Sequence, residues 1–446
     1  MFEDLSNPNA ILSKQATECE QAQDYAGAAE IYKQIHTNRP SDSYAASRYI
    51  HCLRKLRKSQ EAMDFGWSLS KELRANQYVH NAWAWAIYDY YFKTSENKED
   101  DEADHIKSTS QDEATFKKMQ NAAEYILKNS PETDTLIRTK IVFGICREAK
   151  QRGKWQIVYK FANQLDPAQL TKEPYQQGRM SDQERWFYSM IKALFEMGQN
   201  EGCQKLAQQG AENYPSNKHF RWWNAVTKAR MGHQEEALTE LQNLDKQYQE
   251  WFIREDIAKI CEQLQRTDDA WIWYCKAASL QGPIKGRYKM IGHMSVPLQQ
   301  LGRNQEAYEH LRLAHLLAER EGWDKAKTAQ ELREQMELLQ SGDTTQITPQ
   351  TYTPQDGYQL QRKLQNLWRD EIAGTLPHRQ GFIKTVNEEK QFGFIRSDTD
   401  DFHFSFRDLP RNTSPTPSMQ VEFDVEESYD RKKQRNSFKA IHIRLI

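Results

Sequence analysis

Gly198-Gln199-Asn200-Glu201-Gly202-Cys203, Gly232-His233-Gln234-Glu235-Glu236-Ala237, Arg266-Thr267-Asp268-Asp269-Ala270 and Gly302-Arg303-Asn304-Gln305-Glu306-Ala307 are versions of one short polar turn closed by a small side chain. Gln23-Asp24-Tyr25-Ala26-Gly27-Ala28 and Arg57-Lys58-Ser59-Gln60-Glu61-Ala62 repeat it near the start of the chain. Apolar residues at helical spacing flank each turn, so each one opens a second helix. The small residues recur at intervals of 34 (28 to 62), 34 (203 to 237), 33 (237 to 270) and 37 (270 to 307). A large apolar residue follows four positions later in most units, as Tyr32, Leu241, Tyr274 and Leu311, and Pro40 and Pro215 end two second helices.

This period, with its small residue, bulky knob and terminal proline, resembles the tetratricopeptide repeat. The resemblance covers about residues 9–338 and implies an all-α solenoid, because one helical pair cannot bury its apolar stripe without a neighbour. Its first helices would line a groove for an extended or helical segment of another protein. Threading the repeat onto the chain puts Arg185, Tyr188, Lys192, Trp222, Arg230 and Lys259 in that groove. Mixed aromatic and basic lining suits an acidic peptide or RNA; the alternative is ordinary packing and solvated charge. From Ala62 to Cys203 is 141 residues, close to four periods of degenerate units, with Val158 at a repeat position. The acidic stretch 96–104 reads as an exposed loop or a dock for a basic partner, and 166–181 as a connection.

The helical repeats are expected over 1–338. Residues 339–356 are rich in Thr, Gln, Pro and Gly and read as a flexible linker. Residues 357–375 form an amphipathic helix with Leu360, Leu364, Leu367 and Trp368 on one face, suited to capping the repeats, packing on the tail or forming an interface.

From residue 379 the pattern changes period. Phe402, Phe404 and Phe406 alternate with His403 and Ser405, and Val421, Phe423 and Val425 with Glu422 and Asp424, as in strands with one apolar face. Runs at 381–386, 392–395 and 439–444 complete a set of five. Five short strands suit a closed barrel, which removes exposed edges.

Gly381-Phe382-Ile383-Lys384 and Lys390-Gln391-Phe392-Gly393-Phe394-Ile395, with Asp401-Phe402-His403-Phe404-Ser405-Phe406, resemble the cold-shock domain, a small OB-fold. The resemblance, over 379–446, implies a single-stranded RNA or DNA binder whose rings stack under bases while cations follow the backbone. It assigns that surface to Phe392, Phe394, His403, Phe406, Lys384 and Lys390. Arg431, Lys432, Lys433 and Arg435, between the last two strands, would add salt-dependent phosphate contact. Thr385, Val386 and Ser405 replace the tryptophan, phenylalanine and histidine usual in the family. Two lost stacks would weaken binding by about 2–6 kcal/mol. The other reading is a barrel that has become a protein contact.

The 446 residues carry 61 Lys and Arg against 63 Asp and Glu, so bulk charge does not hold this chain to nucleic acid. Residues 381–446 are balanced too, with five Lys and six Arg against six Asp and five Glu. The start, Met1-Phe2-Glu3-Asp4-Leu5-Ser6, is acidic where a targeting signal would be basic, and no apolar run reaches membrane-spanning length. A soluble cytoplasmic protein is expected. The six cysteines (19, 52, 146, 203, 261, 275) show no zinc spacing. His310 and His315, five apart, do not share a helical face. No phosphate-binding Gly-Lys-Ser/Thr loop, His-Glu-x-x-His or nucleophile elbow is present, so no catalysis, metal or cofactor is expected. The expectation is a multidomain chain, a tetratricopeptide-like helical solenoid followed by a small all-β OB-fold barrel. It would act as an adaptor between a protein partner and single-stranded RNA or DNA, or else as a protein-only scaffold, sensor or regulatory subunit.

Overall fold

A computed structural model describes residues 8–93, 113–129, 134–323, 326–341, 356–410, 413–430 and 435–446. The acidic stretch 96–104 and most of the expected linker lie outside them. The chain divides into two compact units, Met1–Leu206 and Ala207–Ile446, so the last helical repeats and the barrel belong to one unit.

In the first unit, helix Pro8–Gln21 packs on Tyr25–Asn38, Ser43–Lys55 on Ser59–Ser68, and Thr135–Gln151 on Trp155–Ala162. Between the second and last of these pairs stand helices Gln77–Tyr91 and Glu113–Asn129, preceded by the short Lys71–Ala75. The 141 residues between Ala62 and Cys203 thus hold two intervening pairs and not a run of regular 34-residue units. Extra length goes into the short helix, residues 94–112 and the connection 163–181.

In the second unit, Lys218–Arg230 packs on Gln234–Tyr248, and Trp251–Gln263 on Thr267–Ala278. The next first helix is broken into Tyr288–His293 and Ser295–Gln300, before Asn304–Arg320 and Lys327–Ser341. Both units are built of tetratricopeptide-like antiparallel pairs. No helix among the described residues is long and apolar enough to cross a membrane.

The repeat residues sit where two helices come closest. Ala28, Ala62, Val158, Cys203, Ala237, Ala270 and Ala307 are all fully buried, as are Tyr32, Leu241, Tyr274 and Leu311. Five positions before each of the seven small residues the backbone is left-handed, at Gln23, Arg57, Gly153, Gly198, Gly232, Gln265 and Gly302 (φ +59° to +96°). The next residue donates its N–H to a carbonyl five back, as from Lys58 to Leu53 (2.9 Å), His233 to Lys228 (3.0 Å) and Arg303 to Leu298 (2.8 Å). This is a helix-ending bond that satisfies an orphan carbonyl and reverses the chain.

The helix Asp356–Thr375 caps the second unit's repeats. Leu360, Leu364, Trp368 and Ile372 join a buried cluster with Trp271, Leu298 and Leu311, while Leu367 packs at its edge. The Trp368 indole N–H donates to His310 Nε2 (2.8 Å), and His310 Nδ1 in turn donates to the Glu306 carbonyl (2.7 Å). Burial pushes the His310 imidazole down to about 4, so at neutral pH the ring is uncharged and free to accept that bond.

Strands β1 (His378–Asn387), β2 (Phe392–Ser397), β3 (Asp400–Ser405), β4 (Gln420–Asp430) and β5 (Arg435–Leu445) close a barrel in the order β1-β2-β3-β5-β4. All neighbours are antiparallel except β3 and β5, and the architecture is OB-like. Ile383, Ile395, Phe402, Phe404, Val421 and Phe423 fill the interior. A Cβ at Gly393 would lie 2.5 Å from the Thr385 carbonyl oxygen and 2.6 Å from the Phe404 ring, so the glycine lets β1 and β2 meet over that ring. The barrel touches the helices of its unit through an ion pair between Lys246 and Glu427 (2.8 Å).

Gln265→Gly removes a side chain from a left-handed turn residue and is expected to raise stability by about 0.5–1 kcal/mol; denaturant titration measures it. Trp368→Ala is expected to cost about 3–5 kcal/mol through lost burial and an unpaired His310, read in the same experiment.

Candidate nucleic-acid interface

Pleating sends alternate residues of β2 and β3 to opposite sides of the barrel wall. Gly393, Ile395, Phe402 and Phe404 point inward, and Phe392, Phe394 and His403 outward. Register pairs Phe394 with His403 and Phe392 with Ser405. The outward rings form a contiguous triad. Phe392 stacks on His403 at 5.3 Å with 28° between planes, and Phe394 meets both edge-on, at 6.0 Å from Phe392 and 5.6 Å from His403.

Burial pushes the His403 imidazole below its ordinary value, with Lys439 adding to the effect against the opposing pull of Asp408. At neutral pH the triad therefore presents three uncharged rings. Its faces suit unpaired bases, each of which has a π-face to offer.

Phe406 takes a different place. It leaves β3 for the short 3-10 turn Phe406–Asp408, held by a reciprocal Ser405 and Asp408 cap, and stacks on the inward Phe404 at 6.2 Å. It packs against the barrel core and not with the triad.

The cations around the rings are largely neutralised within the barrel. Lys384 Nζ lies 2.7 Å from Asp401 Oδ2, and Arg396 reaches the same carboxylate at 2.5 Å. Those two hydrogen bonds hold the Asp401 carboxyl down at about 2. Lys439, which pairs with His403 across the parallel β3 and β5 step, is 2.5 Å from Glu426. Lys390 is exposed in the β1–β2 turn, where its backbone N–H is taken by Asn387 Oδ1 (2.9 Å). Arg431, Lys432 and Lys433 lie outside the described residues. Arg435 begins β5.

Two residues of this face escaped the sequence reading. Arg396 continues the outward series of Phe392 and Phe394, and Phe382, exposed on β1, is its register partner. The alternation at 392, 394 and 396 carried the first signal; the second depends on pairing register, which composition does not encode.

The residues assigned to a groove in the helices divide between the two units. In the first, the Arg185 guanidinium lies 5.3 Å from the Phe143 ring centre, the Lys150 ammonium sits over Tyr188 at 5.4 Å, and buried Lys192 lies 3.4 Å from Glu196. In the second, the Trp222 indole N–H donates to Asp256 Oδ2 (2.7 Å), and Lys259 Nζ lies 2.7 Å from Glu255 and 3.8 Å from Asp256. Burial pushes Asp256 up to about 6 despite the nearby lysine. Arg230 is exposed at the end of its helix. In the second unit Trp222 and Lys259 are thus each paired with a carboxylate.

No protein-family model matches the chain, and no curated protein matches it. Solved structures similar to it include a tetratricopeptide repeat protein from Parabacteroides merdae (11% identity, 64% of this chain and 98% of that one, TM-score 0.29). Others are yeast Tom70 (12%, 81% and 96%, 0.29) and the C-terminal part of a repeat-containing protein from Cytophaga hutchinsonii (13%, 72% and 98%, 0.29). At these values the likeness adds nothing to the helix pairing seen directly in the chain.

Asp401→Asn is expected to leave Lys384 and Arg396 without their counterion. Single-stranded oligonucleotide binding should tighten, and the log–log salt slope should steepen by about 0.7 for each cation released, measured by fluorescence anisotropy at several salt concentrations.

Proposed function

We propose that this protein is a non-catalytic adaptor of the cytoplasm. Its tetratricopeptide-like repeats hold a protein partner, and its cold-shock-like barrel binds single-stranded RNA or DNA. The observation that carries the reading is the outward triad of Phe392, Phe394 and His403, three uncharged rings in mutual contact on a barrel face. Phe392 and Phe394 are half-buried and His403 exposed, so the cluster still offers ring surface to water, and stacking on bases is a use that matches its geometry.

Binding by this barrel is expected to be weak, because the rings are few and their neighbouring cations are already paired. Weak binding suffices in an adaptor. A partner held by the repeats raises the effective concentration of barrel and strand together, with no new contact needed.

A protein-only scaffold is the second reading, favoured by the neutralisation of Lys384 and Arg396 by one carboxylate. On that reading the ring triad is a protein contact.

Anisotropy titration of labelled single-stranded RNA and DNA with the full chain separates the two. Phe392→Ala and Phe394→Ala should each weaken binding by about 1–3 kcal/mol while leaving the salt slope nearly unchanged. Absence of binding by the folded wild-type chain favours the scaffold.

A further inference from the structure

Within the second unit, the last helices and the barrel leave a cleft of about 760 Å³ between them. Its helical wall includes Lys276 and, from the capping helix, Arg369; its barrel wall includes Arg407 from the turn after β3. None of the three has a carboxylate within 4 Å among the described residues. Among the described residues the Arg369 guanidinium reaches the Asn366 side-chain oxygen (2.8 Å), and the Lys276 ammonium lies over the Trp273 ring at 4.5 Å.

Other cations are used up in hydrogen bonds within these walls. Arg287 donates to the carbonyls of Ala278 (3.0 Å), Leu280 (2.6 Å) and Gln281 (2.7 Å), fixing the loop that floors the cleft. Arg254 pairs with buried Asp245 (2.8 Å) and donates to the Lys276 carbonyl (3.1 Å). Lys276 is left half-buried beside that guanidinium, and desolvation, reinforced by Arg254, makes its charge costly. Glu426, Asp245 and Glu427 pull the other way but do not cancel these effects, and each cleft acid is engaged elsewhere or lies at the rim. Glu426 is taken by Lys439 (2.5 Å), and Asp408 accepts the Ser405 N–H (3.1 Å) inside the turn, which leaves exposed Asp370 at the edge.

We propose that this cleft is a phosphate-binding site, with Lys276, Arg369 and Arg407 as the groups that hold a phosphate carried by a nucleotide. An anion seated there relieves the repulsion between Lys276 and Arg254 and offers a counterion to the cations that line the cleft. The phosphate has two chemical sources, the backbone of a nucleic-acid strand or a free mononucleotide. The site is separate from the ring triad and does not require it.

The test uses the full chain with Lys276→Gln and Arg407→Gln, singly and together, each checked for an unchanged thermal unfolding midpoint. Two probes are titrated, a single-stranded oligonucleotide across a salt series and ATP by calorimetry. If the strand supplies the phosphate, the double variant lowers the oligonucleotide salt slope by about 1.4, two contacts at roughly 0.7 each. The Phe392→Ala/Phe394→Ala protein would instead lose affinity at an almost constant slope. If a free nucleotide is the source, ATP binding falls at least tenfold in the double variant whether or not the ring triad binds strands. Unchanged binding of both probes in folded double variant, or no binding of either by wild type, overturns the site.

Discussion

Two helices can approach only as closely as the side chains at their crossing allow. In this chain the crossing point carries alanine, cysteine or valine, and each is sealed from solvent at Ala28, Ala62, Val158, Cys203, Ala237, Ala270 and Ala307. The close crossing leaves no room for a loose turn, and the left-handed residue five positions earlier makes the tight reversal. Each pair then presents an apolar flank that only another pair, or a substitute, can cover. At the end of the second unit the substitute is the helix bearing Leu360, Leu364 and Trp368, with the indole bonded to a neutral His310.

The barrel faces a different constraint. Its interior is satisfied by Ile383, Ile395, Phe402, Phe404 and Phe423, so the outward rings owe nothing to core packing. Around them the chain balances charge locally, with Asp401 set against Lys384 and Arg396, and Glu426 against Lys439. A net charge of −2 over 446 residues is thus the sum of many close pairs. Three cations of the second unit without a carboxylate partner among the described residues, Lys276, Arg369 and Arg407, instead line the cleft beside the barrel.

Much of this was legible in the sequence. The spacing of Ala237, Ala270 and Ala307 located three helical pairs because a close crossing tolerates only small residues, and the alternation of Phe402 and Phe404 fixed the inward face of β3. The stretch from Ala62 to Cys203 misled the count, since insertions lengthen a repeat without adding a crossing. Phe406 continued the strand alternation on paper but turns into a 3-10 cap, because Ser405 and Asp408 satisfy each other's backbone there. The pairing of Lys384 and Arg396 with Asp401 was invisible, as it joins three strands through register alone. The cleft was equally hidden, being made from separate segments spread between residues 254 and 444.

Photocrosslinking tests the central claim most directly. A single-stranded RNA carrying 4-thiouridine is irradiated with the full chain and the protein digested with trypsin. The account predicts adducts on the peptide 391–396, which contains Phe392 and Phe394 and ends at Arg396. Adducts confined to the helices between residues 8 and 341, or none at saturating protein, would contradict it.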